Sequence, residues 1–182
     1  LPIKAGNGFW PGHFWLSIAQ KKGWFVEAGL TVELVDIVDD YYASLTDTAE
    51  GRLDTNGFSL FDLIRFRLQG SDLVAVFLGD QSQGIDAVVA GKGIESLSEL
   101  RGKRVGVEPN SYHEDILDEA LIRAGISPSR VTKVDIDAQK AKEALASGQV
   151  DAVVTWEPIV GEALKVAGAR KVFDTSKISG IS

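Results

Sequence analysis

Aromatic and titratable side chains gather in the loops that follow the predicted strands of this chain. The ring-bearing residues are Trp10, His13, Tyr41, Tyr42, Tyr112, His113 and Trp156. The carboxylates Asp80, Glu108 and Glu157 lie in or beside the same loops. Carboxylates next to aromatic faces are typical of sites that bind a cation or an amine. We therefore regard these loops as a candidate binding surface.

The position of the arginines bears on the charge of the ligand. A tightly held dianion normally meets a bidentate arginine, and the arginines of this chain fall outside these loops. An anion would depend on helix N-termini, whose free N–H groups and positive dipole end favour negative charge. Two alternatives stay open: an aromatic in a loop often only covers the core, and Glu157 can serve only to complement a helix dipole.

Residue spacings typical of catalysis or metal binding are absent from the sequence. There is no HExxH or HxxEH pair, no G-x-S-x-G turn, no G-x-x-x-x-G-K phosphate loop and no cysteine. His113 and Glu114 are neighbours, so on a helix their side chains point about 100° apart and do not form a dyad. We predict no catalytic residue, no metal site and no cofactor.

The composition excludes two classes of partner. Hydrophobic residues make up 45% of the 182 residues and charged residues 25%, which is an ordinary globular balance. The formal net charge of −7, with basic and acidic residues interspersed, argues against a nucleic-acid partner. No apolar run approaches the roughly 18 residues of a membrane span.

A six-residue block that occurs twice indicates how the chain is organised. Residues 49–54 read Ala-Glu-Gly-Arg-Leu-Asp, and residues 146–151 read Ala-Ser-Gly-Gln-Val-Asp. Around each copy the order strand, helix, strand, helix, strand, helix repeats, which predicts an α/β fold with parallel sheets. We expect two similar lobes. The alternative is one six-stranded doubly wound domain whose halves are similar by chance.

The predicted elements place the candidate loops together. Strands are predicted at Ile3–Asn7, Thr31–Val38, Leu53–Phe58, Leu73–Leu78, Ile85–Ala90, Arg104–Glu108, Val131–Ile136, Ala152–Thr155 and near Lys171–Phe173. Capping boxes at Ser96 with Glu99 and at Ser111 with Glu114 predict two helix starts. Because ligands bind beyond the carboxyl ends of parallel strands, we expect the candidate loops to face a common cleft.

Four segments give the chain a resemblance to a known family. They are Trp10-Pro11-Gly12 with the helix to Phe25, residues 94–107 with the pattern I-x-S-x-x-x-L-x-G-K-x-V-x-V, Ala146–Ala152, and Thr155-Trp156-Glu157-Pro158. In these segments the chain resembles the periplasmic substrate-binding proteins of ABC importers. The similar branch is the nitrate/sulfonate/taurine-like one, which includes thiamine-pyrimidine-precursor proteins.

The resemblance implies a type II periplasmic binding fold, two-lobed, with parallel-rich sheets flanked by helices. It implies an incomplete first lobe over residues 1–84, a second lobe over 85–182, a hinge near 80–92 and a return toward the first lobe after about residue 170. The ligand contacts it implies are Trp10, Ser59, Asp80, Asn110, Ser111, Tyr112 and Trp156. His13, Tyr41, His113 and Glu157 complete the predicted binding set.

Relatives in this family continue well beyond the position of Ser182, so either the chain is C-terminally truncated, which we expect, or its first lobe is unusually small. We interpret Leu1 as a processed or trimmed start. A shortened first lobe would expose apolar surface and favour dimerisation.

The implied function is capture of a small organic solute for a membrane permease, in the periplasm or, membrane-anchored, outside the cell. The alternatives are the sensor domain of a membrane receptor and an enzyme on the same fold. A sulfonate, an amine and a pyrimidine all stay open as the ligand.

Overall fold

The computed structural model describes residues 1–8, 10–37, 41–81 and 83–178. The chain divides into two compact units, Leu1–Gln81 and Ser82–Ser182. Part of the predicted loop Asp39–Tyr42 and of the junction Asp80–Gly84 lies outside the described residues. Within the described ranges, no helix is long and apolar enough to cross a bilayer.

The described residues of the first unit form two parallel strands and four helices. Strands β1 (Ile3–Gly8) and β2 (Val32–Ile37) pair in register from Ile3 opposite Val32 to Gly8 opposite Ile37. The helices are α1 (Phe14–Lys22), α2 (Trp24–Glu27), α3 (Tyr41–Ala49) and α4 (Leu60–Leu68), with a 3-10 turn at Pro11–His13. Helix α1 ends as predicted at Gly23, whose φ of 77° is left-handed and suits a residue without Cβ.

Two strands predicted for the first unit are wrong in the described structure. In Leu53–Phe58, only Thr55 forms a bridge, to Ala5. The segment 73–78 contains neither strand nor helix, and its apolar side chains are exposed except for the half-buried Leu73, with Phe77 exposed by 81%. A strand forms only where a neighbour satisfies its N–H and C=O groups, and among the described residues no strand pairs with this segment.

The second unit is a five-stranded sheet in the order β5-β4-β6-β3-β7. The strands are β3 (Asp86–Ala90), β4 (Arg104–Val107), β5 (Thr132–Asp135), β6 (Ala152–Trp156) and β7 (Arg170–Asp174). Strand β4 is parallel to β5 and β6, whereas β3 runs antiparallel to β6 and β7. The predicted α/β class with a parallel-rich sheet is therefore confirmed.

Helices cover both faces of this sheet. They are α5 (Tyr112–Arg123), α6 (Ala141–Ala146) and α7 (Ile159–Ala163), with 3-10 turns at Leu97–Leu100, Pro128–Arg130, Ala138–Lys140 and Thr175–Lys177. Val88 and Val154 pack in one buried cluster with residues of α5. Val89 and Val153 belong to a second cluster with residues of α6 and α7. Strand β3 is buried along its whole length because it has a core on each side.

The repeated block has the same structural role in both units. Its glycines, Gly51 and Gly148, have φ of 75° and 72° and follow a helix. Its aspartates then hold the start of the neighbouring strand: Asp54 accepts the N–H of Lys4, and Asp151 accepts the N–H of Arg104, both at 2.8 Å. The block is thus a helix end joined to a strand-start contact, repeated once in each unit.

Candidate functional site

The start of α5 is fixed by its own side chains. Asn110, with a left-handed φ of 56°, precedes the cap residue Ser111. The Ser111 hydroxyl accepts the N–H of Glu114 at 3.3 Å and donates to the carbonyl of Glu108 at 2.7 Å, while Glu114 accepts the N–H of Asn110 at 2.7 Å. The predicted N-cap at Ser111 is confirmed, whereas the Glu114 carboxylate accepts the N–H of Asn110 and not that of Ser111 as in a capping box.

Three predicted site residues form a ring stack at this helix start. Tyr112 and His113 have ring centroids 4.0 Å apart at an angle of 39°. The His113 ring lies parallel to the indole of Trp156, with centroids 5.0 Å apart and an angle of 16°. His113 is buried, whereas Tyr112 and Trp156 are half-buried. We call Tyr112, His113 and Trp156 the ring stack.

A buried carboxylate that sequence reasoning missed lies against the ring stack. Asp86 begins β3, and it accepts hydrogen bonds from the Tyr112 hydroxyl and from His113 Nε2, the latter at 3.3 Å. Asp86 is only 2% exposed. In the sequence, Asp86 is recognisable only as an acidic residue at the start of the apolar run Asp86–Ala90. Such a residue usually lies at a strand end that is exposed to solvent.

Glu108 is a second carboxylate on this side of the sheet. It follows β4, and its Oε1 accepts the N–H of Ala138 at 3.5 Å. Burial raises the pKa of Glu108, and the nearby His113 partly opposes this shift. The Nδ1 atom of His113 is buried and has no hydrogen-bond partner among the described residues.

Glu157 is exposed and already bonded within its own helix start. Its Oε2 accepts the N–H of Gly161 at 3.0 Å, in the first turn of α7. This contact agrees with the alternative in which Glu157 only complements a helix N-terminus.

In the first unit, Trp10, His13 and Asp80 come together. The indole N–H of Trp10 donates to Asp80 Oδ2 at 2.6 Å. The ring of His13 lies so close to the backbone of Gly57 that a Cβ there would be 1.7 Å from Nε2. Burial lowers the pKa of His13, and the charge of Asp80 partly opposes this.

The hydroxyl groups of Tyr41 and Ser59 are both bonded to one buried residue, Asp62. Ser59 Oγ donates to Asp62 Oδ2 at 2.7 Å and accepts its N–H at 3.0 Å, capping α4. The Tyr41 hydroxyl donates to the same oxygen at 3.1 Å, and its pKa is raised, first by burial and then by the charge of Asp62. Arg65 Nη2 lies 3.4 Å from the other oxygen of Asp62. Both hydroxyl protons are therefore already used inside this unit.

The structure thus assembles the predicted residues into groups, each with an acidic member. Asp80 accompanies Trp10 and His13, Asp86 accompanies the ring stack, and Asp62 accompanies Tyr41 and Ser59. In the part of the chain that the structure describes, no cluster of three or more histidine and carboxylate side chains could hold a metal ion. Each of these groups combines aromatic surface with an acidic side chain.

Sequence comparison places the chain among proteins named for binding and for thiamine biosynthesis. A protein of Haemophilus influenzae, provisionally named for thiamine biosynthesis, is 31% identical over 147 residues, covering 79% of this chain and 46% of that protein. A Bacillus subtilis protein, provisionally named as binding aliphatic sulfonates, is 27% identical over 161 residues, covering 85% and 48%. The chain therefore spans about half the length of these relatives.

Solved structures support the fold. The periplasmic aliphatic sulphonate binding protein SsuA of Escherichia coli has a TM-score of 0.83 at 20% identity, covering 98% of this chain and 62% of that one. The alkanesulfonate-binding protein SsuA of Xanthomonas axonopodis, bound to MOPS, has a TM-score of 0.74 at 19% identity with the same coverage. At this identity the likeness shows a shared fold, and the fold is that of periplasmic binding proteins.

The profile of the family described as NMT1/THI5 like matches residues 10–180. This match takes in both compact units, the ring stack and the Trp10–Asp80 pair. The chain belongs to the NMT1/THI5-like family.

Proposed function

We propose that this chain is the solute-capturing part of an ABC-type importer and that it performs no chemistry on its ligand. The observation that carries the proposal is the ring stack, a half-buried aromatic surface at a helix start with a buried carboxylate beside it. Family membership and the periplasmic binding fold of its structural neighbours support the same role. Its partners are a small organic solute and a membrane permease, and its place is periplasmic or outside the cell.

We further propose that the ligand is a flat nitrogen heterocycle or an amine. Trp156 and Tyr112 supply ring faces in the second unit, and the carboxylates of Asp86 and Glu108 make the surroundings of these rings negative. Such surroundings stabilise a positive or electron-poor ring better than a sulfonate. The predicted hinge near residues 80–92 and closure around the ligand stay predictions.

A thermal-shift panel tests both statements. The probes are 4-aminopyrimidine, putrescine and ethanesulfonate, each titrated into the purified chain. A probe present at 100 times its Kd adds about 2.7 kcal/mol to the free energy of unfolding, enough for a shift of several degrees. We expect 4-aminopyrimidine or putrescine to raise Tm. A rise with ethanesulfonate alone would contradict the ligand class, and a panel without any shift would contradict the capture role.

Trp156 is the residue whose contact with a probe should produce the shift in Tm. Trp156→Ala should abolish the probe-induced shift while circular dichroism of the apo protein stays native, because Trp156 is half-buried at a strand end. Trp24→Ala is the matched control, since that indole is 51% exposed on α2 and should leave the shift unchanged. Equal shifts in all three proteins would remove Trp156 from the site.

A further inference from the structure

Asp86 is 2% exposed and bonded to Tyr112 and His113, so a ligand on the exposed faces of Tyr112 and Trp156 would not contact it. We propose that Asp86 is a positioning residue, which holds Tyr112 and His113 and through His113 sets the plane of Trp156. This inference rests on the proposed function, in which the Trp156 face receives the ligand. It adds a residue that affects affinity through its neighbours.

The strand register puts Asp86 in position to do this. Asp86 lies opposite Trp156 in the antiparallel pair of β3 and β6. Opposed residues project from the same face of a sheet. Val88 and Val154 share that face and pack with α5, the helix that carries Tyr112 and His113. Asp86 and all three rings of the stack therefore converge on one side of the second unit.

The hydrogen bonds tie two of the three rings to one oxygen. The Tyr112 hydroxyl and His113 Nε2 both point at Asp86 Oδ1. The side chains of His113 and Asp86 are 3% and 2% exposed, so water does not compete for this oxygen. A carboxylate oxygen only accepts, so His113 donates through Nε2, and this contact fixes its tautomer and ring orientation. The parallel contact with His113 then limits the rotation of the Trp156 indole.

Pre-positioned rings bind more tightly because less side-chain freedom is lost when the ligand arrives. Immobilising one rotamer-rich side chain costs an amount that corresponds to roughly a threefold to tenfold change in affinity. Releasing His113 and Trp156 together should therefore weaken binding about tenfold or more. The greater freedom of the His113 and Trp156 rings should also be detectable in the protein without ligand.

The test compares Asp86→Asn with Asp118→Asn. Asn keeps the size of Asp86 and an acceptor oxygen but removes the charge, so the hydrogen bonds from Tyr112 and His113 lose their charge assistance and become weaker. Asp118 lies on the same helix α5, half-buried and paired with Lys133 Nζ at 2.7 Å, so Asp118→Asn removes an equal charge away from the stack. The readouts are the NMR signals of the His113 imidazole and Trp156 indole, and the Kd for 4-aminopyrimidine. His13→Gln assigns the His113 signals and Trp156→Ala assigns the indole signal, since the chain has two histidines and four tryptophans.

We expect Asp86→Asn to shift the His113 and Trp156 signals and raise the Kd about tenfold, and Asp118→Asn to do neither. Unmoved ring signals in Asp86→Asn would overturn the inference, and so would moved signals with an unchanged Kd. If the wild type binds no probe while the ring signals of Asp86→Asn move, the proposed function fails and the positioning of the rings stands.

Should Asp86→Asn not fold, Tyr112→Phe removes one of the two donors and keeps the ring. It must then shift the His113 signals in the same way, and unmoved signals would overturn the inference.

Discussion

At the scale of single residues, Glu108 is a carboxylate whose burial disfavours its ionised form. Burial raises its pKa, Asp137 and Asp135 add to that direction, and His113 acts against it. A raised pKa means that the folded state binds the proton more tightly than the unfolded chain does. The stability that this proton contributes is complete below the unfolded value of about 4.3 and is lost as pH rises through the folded pKa.

Replacing Glu108 with glutamine should therefore stabilise the second unit at neutral pH. Glu108→Gln should raise the free energy of unfolding at pH 7 and leave it nearly unchanged near pH 4, because the raised pKa of Glu108 makes only its ionised form unfavourable in the folded state. Urea denaturation at the two pH values measures the difference. Glu143→Gln, at an exposed position on α6, is the control and should have little effect at either pH. A larger gain at pH 4 than at pH 7 would contradict the assignment.

The aromatic residues of the ring stack could be predicted from the sequence, whereas the buried carboxylates next to the predicted residues could not. Tyr112, His113 and Trp156 could be predicted because Tyr112 and His113 begin a helix and Trp156 ends a strand. Asp86 and Asp62 were missed because burial of an acid depends on tertiary contacts: strand register brings Asp86 to Trp156, and helix capping brings Asp62 to Ser59. Neither contact has a local sequence pattern that separates it from an ordinary surface acid.

At the scale of elements, two serines share one sequence pattern but cap differently. Ser111 and Ser96 both precede a glutamate three residues on. Ser111 is buried and accepts a backbone N–H, whereas Ser96 contacts the side chains of Ser98 and Glu99 and caps no backbone group. The difference follows from what comes next, since α5 is a twelve-residue helix and Leu97–Leu100 is a short 3-10 turn.

The two serines therefore form a matched pair of cap deletions. Ser111→Ala should lower the free energy of unfolding by about 1–2 kcal/mol, because it leaves the Glu114 N–H and the Glu108 carbonyl without the hydroxyl. Ser96→Ala should cost less than about 0.5 kcal/mol. Denaturant titration measures both, and amide exchange at Glu114 shows whether the loss lies at the helix start. Equal costs for the two variants would count against the capping role.

At the scale of the whole molecule, the two units differ in how much apolar surface they bury. In the described part of the first unit, the buried apolar side chains are Ala5, Leu45 and Leu53, and the second unit has a core on both faces of its sheet. Val76, Phe77 and Leu78 are each at least 80% exposed. The fold class could be predicted because alternation of strands and helices is local. The pairing of 73–78 could not, since a strand depends on a neighbour.

This exposed segment should make the 182-residue chain self-associate. Burying Val76 and Phe77 is worth about 1.5–3 kcal/mol each, so replacing both with serine should weaken association at least tenfold. Sedimentation equilibrium over a range of concentrations measures this. Ile122→Ser, at a 58% exposed position on the second unit, is the control and should leave association unchanged. A wild-type chain that stays monomeric throughout would contradict the prediction.

The strand-start contacts of Asp54 and Asp151 also bear on the order of folding. Each closes a loop of similar length, with a sequence separation of 50 for Asp54 and Lys4 and of 47 for Asp151 and Arg104. Closure entropy grows only with the logarithm of loop length, so the two closures differ by about 0.1 kcal/mol or less. Chain entropy therefore gives neither unit an advantage. The second unit gains more apolar burial on closure, so it should form before the first unit. The first unit would then fold after the second has formed.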